Sequence, residues 1–330
     1  MTGPHLGRVV VTGGAGFIGS HLVDALVRDG AREVVVIDDL STGTLDNLEG
    51  VSDRVDVVVG DCADPAVAAI SRDADLVFHL AVRNVRASIG DPRENLRVNA
   101  NGTLEMLEAI RGGRRGRFVY VSSSEIYGVA RSGVFSEATV PEPTTVYGAG
   151  KLAGELITLA YHRTYGMDTT VVRPFNNYGP RSHFEGDSGE VIPKFILRAL
   201  ASKPLHVHGD GSQTRDFMYV EDTAAWLTEL ALNPTTTGET LNIGYGVEKS
   251  VNELAELVLA ETGSTSVIER GPARPGDLPR LLADVHKVSV FSDYEPAVGF
   301  EEGLRRTIAY FAGLGDPTVL LQEEQERNWT

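Results

Sequence analysis

Short runs of branched apolar residues recur along the first half of the chain, each separated from the next by a stretch with helical spacing. Residues 9–12, 34–38, 55–60, 76–80, 118–122 and 170–173 read as strands. Between them, residues 20–29, 65–71, 92–111 and 146–165 read as helices. Strands that alternate with helices, and that are apolar on both faces, predict an α/β fold with a doubly wound parallel sheet covered on both sides. After Pro174 the rhythm breaks. Residues 175–190 are polar and punctuated by glycine, which reads as an active-site loop rather than a linker. Shorter elements come next: helices at 193–201, 219–232, 252–261 and 301–313, and strands at 205–208 and 240–243. This pattern predicts a nucleotide-binding domain over 1–174, rejoined by parts of 217–246, and a smaller mixed α/β substrate domain over most of 175–330.

Composition narrows the class without changing that picture. At 330 residues and 42% hydrophobic content the chain can bury a large core. Forty-six acids against 30 bases give a net charge of -16, which argues against nucleic acid or an anionic membrane surface as the main partner. The single cysteine, Cys62, excludes an intrachain disulfide framework and fits a reducing compartment. No apolar run is long enough for a membrane span or a leader core, so a soluble cytoplasmic protein is expected. His206 and His208 alternate on one strand with no further ligand at metal spacing, so no metal site is expected.

The first strand leads into Gly13-Gly14-Ala15-Gly16-Phe17-Ile18-Gly19, which opens the first helix. Gly13, Gly16 and Gly19 permit a tight turn and close backbone approach to a pyrophosphate, with a helix N-terminus aimed at the anion. The second strand ends at Asp38, nineteen residues after Gly19. A carboxylate there accepts hydrogen bonds from adenosine ribose hydroxyls and repels a 2′-phosphate, so NAD is favoured over NADP. The sheet is therefore expected to be of the Rossmann type.

Tyr147 and Lys151 lie four residues apart, one helical turn, well downstream of that loop. Behind a dinucleotide site they form a proton-transfer unit. An ammonium and a positive nicotinamide would lower the phenol pKa, so that tyrosinate takes a proton from an alcohol as hydride leaves for the cofactor. His79 ends a buried strand and reads as a core histidine. Arg83 and Arg86 are left open between an anion site and a helix surface, and His183 and Glu185 between a ligand contact and solvent.

Several further stretches accompany these: Asp38-Asp39-Leu40-Ser41-Thr42-Gly43, His79-Leu80-Ala81, Asn99-Ala100-Asn101-Gly102-Thr103, Ser122-Ser123-Ser124-Glu125-Ile126-Tyr127-Gly128, Arg173-Pro174-Phe175-Asn176-Asn177-Tyr178-Gly179-Pro180, Thr214-Arg215-Asp216-Phe217 and Arg274-Pro275-Gly276-Asp277. With Tyr147 and Lys151 they resemble, over nearly the whole chain, the extended short-chain dehydrogenase/reductase family in its NAD-dependent nucleotide-sugar epimerase/dehydratase branch. The resemblance implies that Ser123 hydrogen-bonds the sugar O4 and shares its proton with Tyr147, and that Lys151 binds the nicotinamide ribose. It implies that Asp61 and Cys62 hold the adenine, that Asn99 is a structural asparagine near the cofactor, and that Phe17, Ile18, Asp39, Leu40, Ser41, Gly43, Leu80, Ala81, Ser122 and Pro174 surround NAD. Asn176, Val191, Arg215, Arg274 and Asp277 would contact the diphosphate and nucleotide, with guanidinium groups matched to phosphate by their planar fork. A homodimer is also implied, through helices 92–111 and 146–165. There Leu104, Met106, Leu107, Leu152, Leu156 and Leu159 offer either an interface or sheet-facing core.

The residues beside Ser123 imply which step comes after the common first oxidation at C4. The runs Asp38 to Gly43, Val85-Arg86-Ala87-Ser88 and Arg274 to Arg280 resemble 4-epimerases, and Ser124 replaces the aspartic acid of dTDP-glucose dehydratases. Glu125 resembles the glutamate that dehydratases and decarboxylases use at C5. The expectation is therefore a UDP-hexose or UDP-hexuronate 4-epimerase. The alternatives are a nucleotide-sugar 4,6-dehydratase or UDP-glucuronate decarboxylase using Glu125, and, more distantly, a non-catalytic NAD-binding regulator on the same fold.

Overall fold

A computed structural model describes residues 6–128, 133–186, 189–273 and 278–323. Seven parallel strands form the main sheet, in the spatial order Thr240–Ile243, Thr169–Pro174, Arg117–Val121, Leu76–His79, Arg8–Thr12, Glu33–Asp38, Val55–Val59. The middle strands are buried on both faces. Val9, Val10, Val11, Phe78, Phe118 and Val119 are all fully enclosed, which is why their sequences read as continuous apolar runs rather than alternating ones. The order turns back between Arg8–Thr12 and Leu76–His79. At such a switch point the connections leave in opposite directions and a crevice opens outside the carboxyl ends of the strands.

The chain leaves this sheet after Pro174 and returns to it. Helix Val220–Leu232 packs on helix Phe17–Arg28, and Thr240–Ile243 then adds the outermost strand beside Thr169–Pro174. The second body is built from helices Val191–Leu200, Val251–Thr262 and Phe300–Gly313 around a separate core of Phe195, Ile196, Leu254, Val258, Leu304 and Phe311. Short strands edge it: Asn176–Tyr178 pairs with Phe217–Tyr219, and Leu205–His208 with Ile268–Gly271. A four-stranded sheet orders Lys249–Ser250, Thr214–Arg215, Arg280–Ala283 and Val134–Phe135.

The structure refines the expected elements at three places. The helix expected over 92–111 is broken into Pro92–Leu96, a wide π-helical segment Arg97–Gly102, and Thr103–Arg111. Asn99 lies in that wide turn and turns inward, its amide donating to the Arg83 carbonyl at 3.1 Å and its Oδ1 accepting from the Arg83 N–H at 2.9 Å. Gly102 then passes Cys62 so closely that a Cβ would stand 3.2 Å from its sulfur. Insertions of this kind recur at functional sites. The apolar residues of the two long helices also divide: Met106 and Leu107 are fully buried against the sheet, whereas Leu156 is 59% exposed. In addition, the active-site loop expected over 175–190 begins with strand Asn176–Tyr178.

One buried ion pair ties the catalytic helix to the sheet. Arg173 and Glu155 meet at 2.7 Å, the two side chains 7% and 2% exposed. The guanidinium also donates to the Tyr127 hydroxyl at 2.8 Å, which in turn donates to Asn242 at 2.7 Å on the edge strand. Removing one member of such a pair leaves the other charge buried without compensation. Arg173→Met is therefore expected to cost about 3–5 kcal/mol. Breaking the surface pair Arg305–Glu302, whose side chains are 51% and 46% exposed, is expected to cost under about 1 kcal/mol. Urea denaturation of the two variants side by side measures the difference; equal stability would remove the central role given to the buried pair.

Candidate active site

Each of six strands delivers its carboxyl-terminal residue, or the one after it, to a single cleft: Gly13, Asp38, Gly60, Leu80, Ser122 and Pro174. The glycine loop forms its floor. Gly13 has φ +70°, and a Cβ there would stand 2.8 Å from the Ala81 amide nitrogen. A Cβ at Gly19 would stand 2.0 Å from the Gly13 carbonyl oxygen. Both positions exclude any side chain, so the loop stays tight and the N-terminus of helix Phe17–Arg28, which has no acid in its first turn, opens onto the cleft.

Asp38 does more than the sequence indicates. One carboxylate oxygen accepts from the Ala15 N–H and the other from the Leu40 N–H, both at 2.9 Å. The same residue therefore holds the glycine loop and the next turn, where Leu40 takes φ +58°. Each oxygen keeps a further lone pair for a ribose hydroxyl. Gly43 folds back against the loop, a Cβ there standing 2.8 Å from the Ala15 carbonyl carbon. Leu40 and Gly43 thus shape the wall, while Asp39 and Ser41 line the cleft. Asn99 lies one layer behind it, holding both the N–H and C=O of Arg83. Asp61 and Cys62 line the same end of the cleft; burial pushes the Cys62 thiol up to about 12, so it behaves as a small wall residue.

At the opposite end of the cleft, Tyr147 sits in the first turn of helix Val146–Tyr165, capped by the Thr145 hydroxyl, which accepts from the Gly148 N–H at 3.0 Å. Lys151 comes one turn on, 3% exposed. Its ammonium donates to the Val121 carbonyl at 2.5 Å and lies 4.5 Å from the centre of the Tyr120 ring. Ser123 stands close enough to the Tyr147 phenol to favour its ionised form, and it accepts from the Glu125 N–H at 3.2 Å. Burial raises the phenol to about 12; Ser123 opposes this, and Glu125 and Glu190 add to it. Burial also lowers Lys151 to about 7, against the pull of Glu155. The Lys151 ammonium, bonded to Val121, is not among the groups that shift the phenol here.

A second cleft adjoins the first, with Glu190 on the wall of both; their cavity volumes are about 240 and 350 Å³. Asn176, Val191, Arg215 and Glu125 line the second. Arg215 is fixed by bonds to the Thr214 and Leu278 carbonyls, both at 2.8 Å. Ser124 is buried beside Ser123, whereas Glu125 is exposed to the cleft. Arg274 and Asp277 lie outside the described residues. His79 is enclosed between the Thr12 and Thr103 hydroxyls and driven down to about 3 by burial, a neutral structural ring. Among the described residues no cluster of His, Cys, Asp or Glu is placed to hold a metal. No helix among them is long and apolar enough to cross a membrane.

A sequence model described as the NAD dependent epimerase/dehydratase family matches residues 9–244. The chain belongs to this family. It is 36% identical over 310 residues to the UDP-glucose 4-epimerase of Mycolicibacterium smegmatis, covering 92% of this chain and 98% of that one. It is 35% identical over 319 residues to the dTDP-glucose 4,6-dehydratase of Streptomyces niveus, covering 92% of each. The crystal structure of UDP-glucose 4-epimerase from Thermotoga maritima with UDP-glucose superposes with a TM-score of 0.86 at 33% identity, over 93% of this chain and 99% of that one.

Members of the NAD dependent epimerase/dehydratase family are enzymes, and their cofactor is NAD. The first cleft fits that group on its own terms. Besides the glycine floor it presents Ser122, whose Oγ is buried without a hydrogen-bond partner among the described residues, and Arg83, whose Nε is likewise unpartnered. Arg83 lines the cleft and pairs with Asp39 at 3.0 Å. Glu190, which lines both clefts, is a residue that sequence reasoning missed. Its one signal is a glutamate in the N-cap position of an apolar helix, where Ser, Thr, Asp or Asn is usual.

Gly19→Ala tests the cradle. The added methyl must displace the Gly13 carbonyl, so NAD affinity is expected to fall at least tenfold, about 1.4 kcal/mol, with the circular dichroism spectrum retained. Calorimetric titration with NAD measures it, and unchanged affinity would show that the loop does not support the dinucleotide.

Proposed function

We propose that this enzyme is a nucleotide-sugar 4-epimerase that works through a transient 4-keto sugar. The observation that carries the reading is Ser123 beside the Tyr147 phenol where the two clefts adjoin, with Lys151 one turn behind. NAD, when bound, supplies the acceptor and donor of hydride and brings positive charge. Asp38 accepts hydrogen bonds from the adenosine ribose, the loop Gly13–Gly19 and Arg83 receive the pyrophosphate, and Lys151 orients the nicotinamide ribose. Asn176 and Arg215 hold the sugar diphosphate, with Arg274 and Asp277 assigned to the nucleotide by the sequence. Tyr147, as phenolate, takes the proton of the sugar O4; Ser123 holds that oxygen by a hydrogen bond. Tyr147 would return that proton to O4 once the sugar presents its other face. Epimerisation asks for no further acid or base, and Ser124, a buried hydroxyl, stands where a dehydratase would have a carboxylic acid.

A second reading has one specific observation in its favour. Glu125 is exposed to the sugar cleft and acts electrostatically on Tyr147, a position from which a carboxylate can remove a C5 proton made acidic by a C4 ketone. On that reading the product is a dehydrated or decarboxylated sugar. Either reading takes a homodimer through the helices bearing Leu96 and Leu156, 47% and 59% exposed; light scattering in solution checks it, a monomer mass overturning it.

One experiment separates the chemistries. The purified enzyme is turned over with UDP-glucose, UDP-glucuronate and dTDP-glucose in deuterated water and the products are analysed by NMR and mass. Inversion at C4 without deuterium at C5 is expected; deuterium at C5, or loss of water or carbon dioxide, transfers the assignment to Glu125. In the same assay Tyr147→Phe is expected to lower kcat by roughly 10²–10⁴-fold while NAD stays bound. An unchanged rate would remove Tyr147 from the role of base.

A further inference from the structure

Glu190 stands at the N-cap of helix Val191–Leu200, yet its carboxylate does not cap that helix. Its backbone N–H donates to the His183 carbonyl at 2.8 Å, which fixes the residue where the two clefts meet. Among the described residues its carboxylate makes no side-chain hydrogen bond. A half-buried carboxylate on a cleft wall with no protein donor keeps its acceptor positions open. Here the donors can come from a ligand in the clefts.

The charges around it differ by element. On helix Val146–Tyr165 stand Tyr147 and Lys151, and across the sugar cleft stands Glu125. Arg86, ahead of helix Ala87–Gly90, attracts the carboxylate. On Glu190's own loop are His183 and Glu185, and Lys194 lies one turn along its helix. His206, His208 and Arg215 enter the sugar cleft from strands Leu205–His208 and Thr214–Arg215. The charged side chains that act on the Tyr147 phenol are two carboxylates, Glu125 and Glu190. The side-chain charges acting on the phenol are therefore negative.

We propose that Glu190 sets the charge class of the sugar: it accepts hydrogen bonds from the hydroxyls of an uncharged hexose and excludes a uronate, whose carboxylate would bring a like charge beside it. The inference rests on the nucleotide-sugar reading of the second cleft. Burial pushes the Glu190 carboxyl up to about 7, against Arg86. Above that pH it is ionised and the exclusion is strong. Below it the neutral acid can donate to a uronate carboxylate, and the exclusion fades. A steric barrier would show no such dependence.

The test uses the NAD-loaded enzyme and its Glu190→Gln variant, with calorimetric affinities for UDP-glucose, UDP-glucuronate and their dTDP counterparts at pH 6 and pH 8. Wild type is expected to favour the glucose ligand by roughly tenfold or more at pH 8, less at pH 6. In Glu190→Gln the preference shrinks at both pH values and loses its pH dependence. Bound NAD and the melting temperature confirm that the variant is folded, and Glu190→Ser replaces it if it is not. A preference that the substitution leaves intact, or a wild type that favours the uronate, overturns the proposal while leaving the nucleotide-sugar reading standing. A wild type that binds none of the four ligands overturns both.

Discussion

The bond from the Lys151 ammonium to the Val121 carbonyl is the constraint on which the chemistry of this molecule hangs. A lysine that is 3% exposed must place its charge on an acceptor or lose it. Here it does part of each, resting on the end of the central strand Arg117–Val121 and drawn down to about 7 by burial. Because helix Val146–Tyr165 turns once every 3.6 residues, fixing Lys151 against that strand end fixes Tyr147 one turn earlier at the same cleft. Glu155, one turn later, is then set against Arg173 of the neighbouring strand. Arg173 passes the constraint to Tyr127 and Asn242, so consecutive polar contacts cross the sheet from the catalytic turn to the edge strand.

The sheet order explains why the second body is where it is. Six strand ends surround one cleft because the connections diverge at the switch point between Arg8–Thr12 and Leu76–His79. The loop after Pro174 crosses that crevice and is tied back to the glycine-loop helix from both sides. The His21 ring bonds the Pro180 carbonyl at 3.0 Å, and Arg181 pairs with Asp24 at 2.7 Å. Those ties carry the chain from the cofactor cleft to helix Val191–Leu200, whose first residue lines the second cleft. Glu190 occupies the step between them.

Much of this was legible in the sequence, and the parts that were not share a cause. Runs such as Val9–Val11 and Val34–Ile37 announce strands because burial on both faces leaves no polar position to confuse the period. Gly13 and Gly19 announce the loop because a Cβ at either would strike backbone. Asp38 was readable as a ribose ligand, but its bonds to Ala15 and Leu40 were not, since a backbone partner leaves no mark in the spacing. The two-residue strands Val134–Phe135, Thr214–Arg215 and Lys249–Ser250 are shorter than any period can show. The π-helical turn is held by Arg83 at Asn99, sixteen positions away, and passes Cys62 at Gly102, forty positions away. Pairing at that range belongs to the fold rather than to the local sequence.

Electrostatics at Tyr147 give the site its logic. Burial raises the phenol and lowers the amine of Lys151, so both groups are moved toward their neutral forms by the same cause. Glu125 and Glu190, brought in by the turn after Arg117–Val121 and by the loop ahead of Val191–Leu200, reinforce the neutral phenol. A site arranged in this way holds its proton firmly until positive charge enters beside it. Ser123 is the group that works in the opposite direction, because a hydrogen bond donated to the phenol oxygen strengthens as negative charge develops there. Ser123 also accepts the Glu125 N–H, which fixes the orientation of its own hydroxyl. The contact that favours proton removal is therefore built by the same short turn that presents one of the carboxylates opposing it, and the balance between them is a property of three consecutive residues, Ser123, Ser124 and Glu125.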